Sequence, residues 1–77
     1  MNILNKYFWV VTKPTEFCEF MDVCFKSDFL RLQAQFKGGL TFEEIEGIYT
    51  EEAEATKSAK ALIRKRDKEI SRKNKTN

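Results

Sequence analysis

Between Lys6 and Thr12 the chain reads Lys-Tyr-Phe-Trp-Val-Val-Thr, a block of aromatic and β-branched side chains without polar alternation, halted by Lys13-Pro14. Such residues favour a pleated backbone, an unbroken apolar run suits a strand covered on both faces, and proline has no N–H to give to a ladder. The block therefore predicts a buried strand over 6–12. From Pro14 the spacing changes: Phe17, Phe20, Met21 and Cys24 recur at three- and four-residue steps behind Thr15, a good capping residue. That pattern predicts a helix over 15–26 with one apolar face.

The segment 29–36 alternates, with Leu30, Leu32, Ala34 and Phe36 on one side and Arg31, Gln33 and Gln35 on the other, as a half-buried strand requires. Its residue types also admit a helix, in which Phe29, Leu32 and Phe36 would share a face; the alternation favours the strand, and Lys37-Gly38-Gly39 behind it suits a tight reversal into a hairpin. Thr41-Phe42-Glu43-Glu44 matches a capping box, but Glu44-Ile-Glu-Gly-Ile-Tyr49 followed by Thr50-Glu51-Glu52 reads better as a strand running into a capped helix, because glycine is unfavourable inside a helix. The order is strand, helix, strand, strand, helix. It implies a small single α+β domain over 1–73, with a three-stranded, mainly antiparallel sheet, a long C-terminal helix and a disordered basic tail at 74–77.

On the terminal helix, at about 100° per residue, Ala55, Ala59, Leu62, Ile63 and Ile70 fall in one narrow arc. Lys57, Lys60, Arg64, Lys65, Lys68 and Arg72 lie opposite, and Lys60, Arg64, Lys68 and Arg72 are successive i,i+4 neighbours of like charge, which weakly destabilises a helix. Favourable interaction with the helix dipole reaches only about one turn from each end, so it does not account for a basic stripe of this length. Those bases are candidate contacts to a partner. The preceding segment, 41–56, has the opposite sign: Glu43, Glu44, Glu46, Glu51, Glu52 and Glu54 occur there with no base. The net charge of +2 thus conceals a −6 segment followed by nine bases and two acids over 57–77. An acidic patch of this kind is a candidate imitation of nucleic acid towards a nucleic-acid-binding protein.

Composition restricts the chemistry further. With no histidine among 77 residues, serine-histidine and cysteine-histidine catalysis and histidine-ligated metal sites are excluded. There is no phosphate loop, dinucleotide glycine pattern or CxxC pair, so neither an enzyme nor a cofactor or metal is expected. Cys18 and Cys24, placed on one helix, would stand too far apart to bridge and are expected to be reduced core thiols, which implies a cytoplasmic setting. The longest apolar run, Tyr7 to Val11, is far short of a membrane span. Ten aromatic residues, among them Phe8, Trp9, Phe17, Phe20, Phe25, Phe29, Phe36, Phe42 and Tyr49, are expected to fill the small core; Tyr7 and Trp9 belong there rather than on a base-stacking surface.

Leu30 to Leu62, read as a hairpin feeding a helix with Thr50, Ala53, Ala59, Ala61 and Leu62, is similar in rhythm to the last half of double-stranded-RNA-binding domains. Where that family's helix opens with phosphate-gripping lysines this chain has Glu51 and Glu52, so the RNA-binding role does not carry over. The short Phe-rich, Lys/Asn-rich chain also resembles, in style and without a shared motif, the small bacteriophage accessory proteins that disarm host enzymes or defence systems. The expectation is a non-catalytic binding protein, an inhibitor or adaptor that docks on a protein complex by its basic helix face. Direct RNA or DNA binding by the same stripe is the alternative, and a homodimer through a strand edge or the helix is compatible with so small a sheet.

Overall fold

The computed structural model describes residues 6–75. β1 (Phe8–Thr12) is the middle strand of an antiparallel three-stranded sheet, flanked by β2 (Cys24–Ser27) and β3 (Ile45–Tyr49). Between the strands lie α1 (Phe20–Val23), α2 (Phe29–Lys37) and a single 3-10 turn at Phe42–Glu44, and α3 (Glu52–Lys75) ends the described chain. The expected α+β class, three-stranded antiparallel sheet and long C-terminal helix are all present. Residues 74–77, expected to be a tail, lie at and beyond the end of the described part.

As the apolar run implied, β1 is covered on both faces: Val10 and Val11 have no exposed surface. Val11 stands opposite Cys24 and Gly47 and, with Val23, Cys24, Ala55 and Ala59, forms the core under α3, where Trp9, Cys18, Tyr49, Leu62 and Ile63 pack around it. Val10 stands opposite Phe25 and Ile48 on the other face. Near it lies α2, whose Arg31 and Gln35 share a cleft with Phe25 and whose Leu32 is buried. The β1–β3 register slips between Val11 and Thr12, so Glu46 has no partner on β1. A Cβ on Gly47 would meet the Tyr49 ring at 3.0 Å, so only hydrogen lets that ring lie down.

Two elements differ from the sequence pattern. The helix expected over 15–26 shrinks to Phe20–Val23, opened by a reciprocal capping box between Glu19 and Asp22, and the chain then straightens into β2. Hydrogen bonding to β1 decides this, since Val11↔Cys24 through Phe8↔Ser27 gives the central strand a second partner that a helix would deny it. Phe17 and Met21, the expected apolar face, consequently lie in solvent. Cys18 falls in the irregular segment before α1 and Cys24 opens β2, and both are free thiols.

The second difference is α2, a helix where alternation favoured a strand. Its Leu, Arg, Gln and Ala are helix formers, and local caps complete it. The Asp28 carboxylate accepts the Arg31 N–H at 2.7 Å, the N-cap bond the helix start needs. At the far end Gly39 N–H donates to the Phe36 carbonyl and Leu40 N–H to the Gln35 carbonyl, the two bonds of a Schellman ending, with Gly39 at φ +119°. The glycine pair therefore stops a helix instead of turning a hairpin, and the hairpin rhythm over 30–62 is absent. The capping-box motif at Thr41 is realised as one 3-10 turn, with the Thr41 hydroxyl on Glu44 at 3.1 Å, before β3 begins.

Gly39→Ala should lower stability by about 1 kcal/mol, because an L side chain is strained at that φ, whereas Gly38→Ala, at φ −81°, should be neutral or slightly stabilising. Chemical denaturation of both variants checks this, and equal effects would contradict the assigned ending.

Candidate interaction surfaces

Two alanines determine how α3 sits. Ala55 and Ala59 are fully buried, and with no side chain beyond Cβ they let the helix approach the sheet closely; Leu62, Ile63, Arg66 and Ile70 continue the same face, each partly buried. Helical geometry then places Lys57, Lys60, Arg64, Lys65, Lys68 and Arg72 on the far side, and all six are exposed. Successive members of the i,i+4 column rise by about 6 Å. Among the described residues the ion pair present is Arg66–Asp67, and none of the six bases has a carboxylate within 4.0 Å.

Arg66 is the base that the fold uses internally. Its side chain is only 17% exposed, and its guanidinium donates to the carbonyls of Thr15 (2.9 Å) and Cys18, and to Asp67. The segment between β1 and α1 lacks regular structure, and this fork ties two of its carbonyls to α3 across some fifty residues of sequence. Contact of α3 with the body therefore continues past Ile63 as far as Ile70: Pro14 and Glu16 line a shallow cleft with Arg66, Glu69 and Ile70.

The six glutamates are spread over three elements. Glu43 and Glu44 lie in the 3-10 turn, Glu46 in β3 at the register slip, and Glu51, Glu52 and Glu54 around the first turn of α3; all are exposed. Helix α3 begins at Glu52, and the Glu51 carbonyl accepts from Ala55 N–H, one residue later than a Thr50 cap implies.

Much of the aromatic complement expected in the core is at the surface. Phe17 is 89% exposed, Phe42 81% and Phe29 51%, and Tyr7 lies outside the core with the Lys26 ammonium 5.0 Å above its ring. Phe29, Leu32, Gln33, Phe36 and Phe42 line a groove of about 300 Å³. The groove was not legible from alternation, but the helical set Phe29, Leu32, Phe36 carries the signal: one helix face with more aromatic surface than a thin sheet can cover.

Burial pushes the Cys24 thiol up from the usual range, and the nearby Glu52 carboxylate adds to the rise. No group of three or more Cys, Asp or Glu among the described residues is placed to hold a metal ion, and no described helix is long and apolar enough to cross a membrane. No protein-family model matches the chain, nor does any curated protein or solved structure.

Removing the Arg66 fork leaves the Thr15 and Cys18 carbonyls without their charged donor, so Arg66→Ala is expected to lower stability by about 1.5–3 kcal/mol. Asp67→Asn should change it far less, since that carboxylate is 60% exposed on a neighbouring residue. Thermal unfolding of the two variants checks the order, and equal midpoints would contradict it. A thiolate-directed reagent near neutral pH should label Cys24 more slowly than Cys18, a difference that disappears in denaturant; equal rates in the native protein would contradict the burial of Cys24.

Proposed function

We propose that this chain is a non-catalytic binding protein that docks, as an inhibitor or adaptor, on a macromolecular complex through the basic face of α3. The observation that supports this reading is the state of six bases, Lys57, Lys60, Arg64, Lys65, Lys68 and Arg72, all exposed on one side of a helix with no carboxylate of the described residues at ion-pair distance. Like charges in an i,i+4 column destabilise a helix slightly, so their retention is best explained by a surface outside the molecule. A field of one sign steers an oppositely charged partner and rejects like-charged ones. A protein complex is preferred because the same small molecule leaves Phe17, Met21, Phe29 and Phe42 in water, and large apolar side chains at a surface suit protein contacts.

The regular column of bases also supports a second reading, direct binding of RNA or DNA, since a rise of about 6 Å between guanidinium and ammonium groups suits successive phosphates. Salt distinguishes the two. Phosphate binding loses affinity linearly on a log-log scale as salt is added, while a packed protein interface retains more.

The triple reversal Lys60→Glu, Arg64→Glu and Lys68→Glu tests both readings in affinity capture from nuclease-treated and untreated lysates. The expected result is a protein complex retained after nuclease and reduced roughly tenfold or more by the reversal, with the fold intact by circular dichroism. Loss of all binding after nuclease would favour the nucleic-acid reading, and unchanged capture by the reversed variant would remove both.

A further inference from the structure

The sheet has two open edges, and they differ in charge. β1 is paired on both sides, whereas β2 and β3 are paired on one side each, so every second residue of those two strands turns its N–H and C=O away from the sheet. β2 is four residues long, contains Lys26 and stands between Asp22 and Asp28, so both signs meet along it. β3 is different. It contains Glu46, is entered from Glu43 and Glu44 and left towards Glu51, Glu52 and Glu54, and no base occurs from Gly38 to Thr56. All six carboxylates are exposed. Bases stand at the two ends of this run, Lys13 after β1 and Lys57 and Lys60 beside Glu52 on α3, and none of them forms an ion pair with these carboxylates.

Ile48 adds an apolar element to the same edge. It stands opposite Val10, which has no exposed surface, yet is itself 51% exposed, since no strand lies beyond β3. Among the described residues, no backbone hydrogen bond outside the sheet's own ladders involves Ile45 to Tyr49. An extended segment laid along β3 answers both conditions: its backbone pairs with the outward N–H and C=O groups, and a side chain beside Ile48 covers the exposed half of that residue.

We infer that the open edge of β3 is a docking site for an extended segment of a partner protein, added as a fourth strand with an apolar residue beside Ile48 and Lys or Arg towards both of its ends. The ladder bonds accept any sequence, and the carboxylates of Glu43, Glu44, Glu46 and Glu51 select the basic one. A second copy of this chain does not meet these terms. Pairing β3 with β3 sets six glutamates against six, and β2 of a second copy brings Asp22 and Asp28 to the same place. The site goes beyond the function proposed for α3 and does not depend on what α3 binds.

Titration of the isotope-labelled full chain with the capped peptide Lys-Lys-Val-Ile-Val-Lys-Lys, followed by amide chemical shifts, tests the inference. The largest shifts should fall on Ile45 to Tyr49, and amides of β3 should gain protection from hydrogen exchange. The same peptide with its three central residues N-methylated, and the peptide Glu-Glu-Val-Ile-Val-Glu-Glu, should bind roughly tenfold more weakly or worse. Affinity should fall with added salt and by roughly fivefold or more in Glu46→Lys, and it should not fall when Lys60, Arg64 and Lys68 are changed to Gln. If Glu46→Lys loses its fold by circular dichroism, the pair Glu43→Gln and Glu51→Gln reads the same charge from the two ends of the strand. Absence of binding, equal binding of the N-methylated or the glutamate peptide, or largest shifts on β2 or α2 would overturn the inference. So would a concentration-dependent dimer of the free chain with its shifts on β3, which would assign the edge to a second copy.

Discussion

The contact on which the rest depends is that of Ala55 and Ala59 with Val11. All three are fully buried, and together with Val23 and Cys24 they make a core of small side chains, in which closeness of approach matters more than bulk. A helix seated through two alanines has little freedom to roll. Its rotation about its own axis is set, and with it the direction of every other residue on α3. Positions seven and eleven residues beyond Ala59 must return to the sheet side, which is where Arg66 and Ile70 are partly buried. The six bases, half a turn away, must face out.

That seating divides the positive charge of α3 into two kinds of work. Arg66 carries a charge on the inward face, and it is satisfied there by carbonyls of the segment between β1 and α1 and by Asp67. It replaces the apolar contact that a fourth hydrophobic residue would have made and gains directionality, because a guanidinium fork fixes two acceptors where an aliphatic side chain fixes none. The outward bases have no such partners at ion-pair distance among the described residues. The opposite sign is concentrated before and at the start of α3, where Glu52 and Glu54 also suit the helix dipole. The molecule is consequently polar along its length despite a small net charge.

What was legible in the sequence follows the range of the forces involved. β1 could be read because six consecutive residues, Tyr7 to Thr12, share one preference, and α3 because its period persists over five turns; the exposed stripe follows from that period alone. β3 was legible once Gly47 argued against a helix. β2 was hidden because Cys24–Ser27 has no strand signal of its own and is drawn out by pairing with Phe8–Val11, a contact invisible to local pattern. For 29–36 both periods fit so short a window, alternation favoured the strand, and the features that decide for the helix are the ends: Asp28 as a cap and Gly38-Gly39 as a helix stop. The aromatic groove was missed for a related reason. Aromatic richness in a small chain suggests a core, yet this sheet is three short strands wide, and Phe29, Phe42 and Phe17 exceed what it can cover.

The central claim is that the bases along the outer side of α3 are solvated and without internal partners. The most direct measurement is the site-by-site acylation rate of lysine amines, read by mass spectrometry on the native and the denatured chain at low ionic strength. Burial or a counter-ion slows that reaction, so Lys57, Lys60, Lys65 and Lys68 should react in the folded protein at rates close to those of the unfolded one, with little response to added salt. Protection of two or more of them in the native state, relieved by salt, would show that the molecule neutralises its own stripe and would contradict the account.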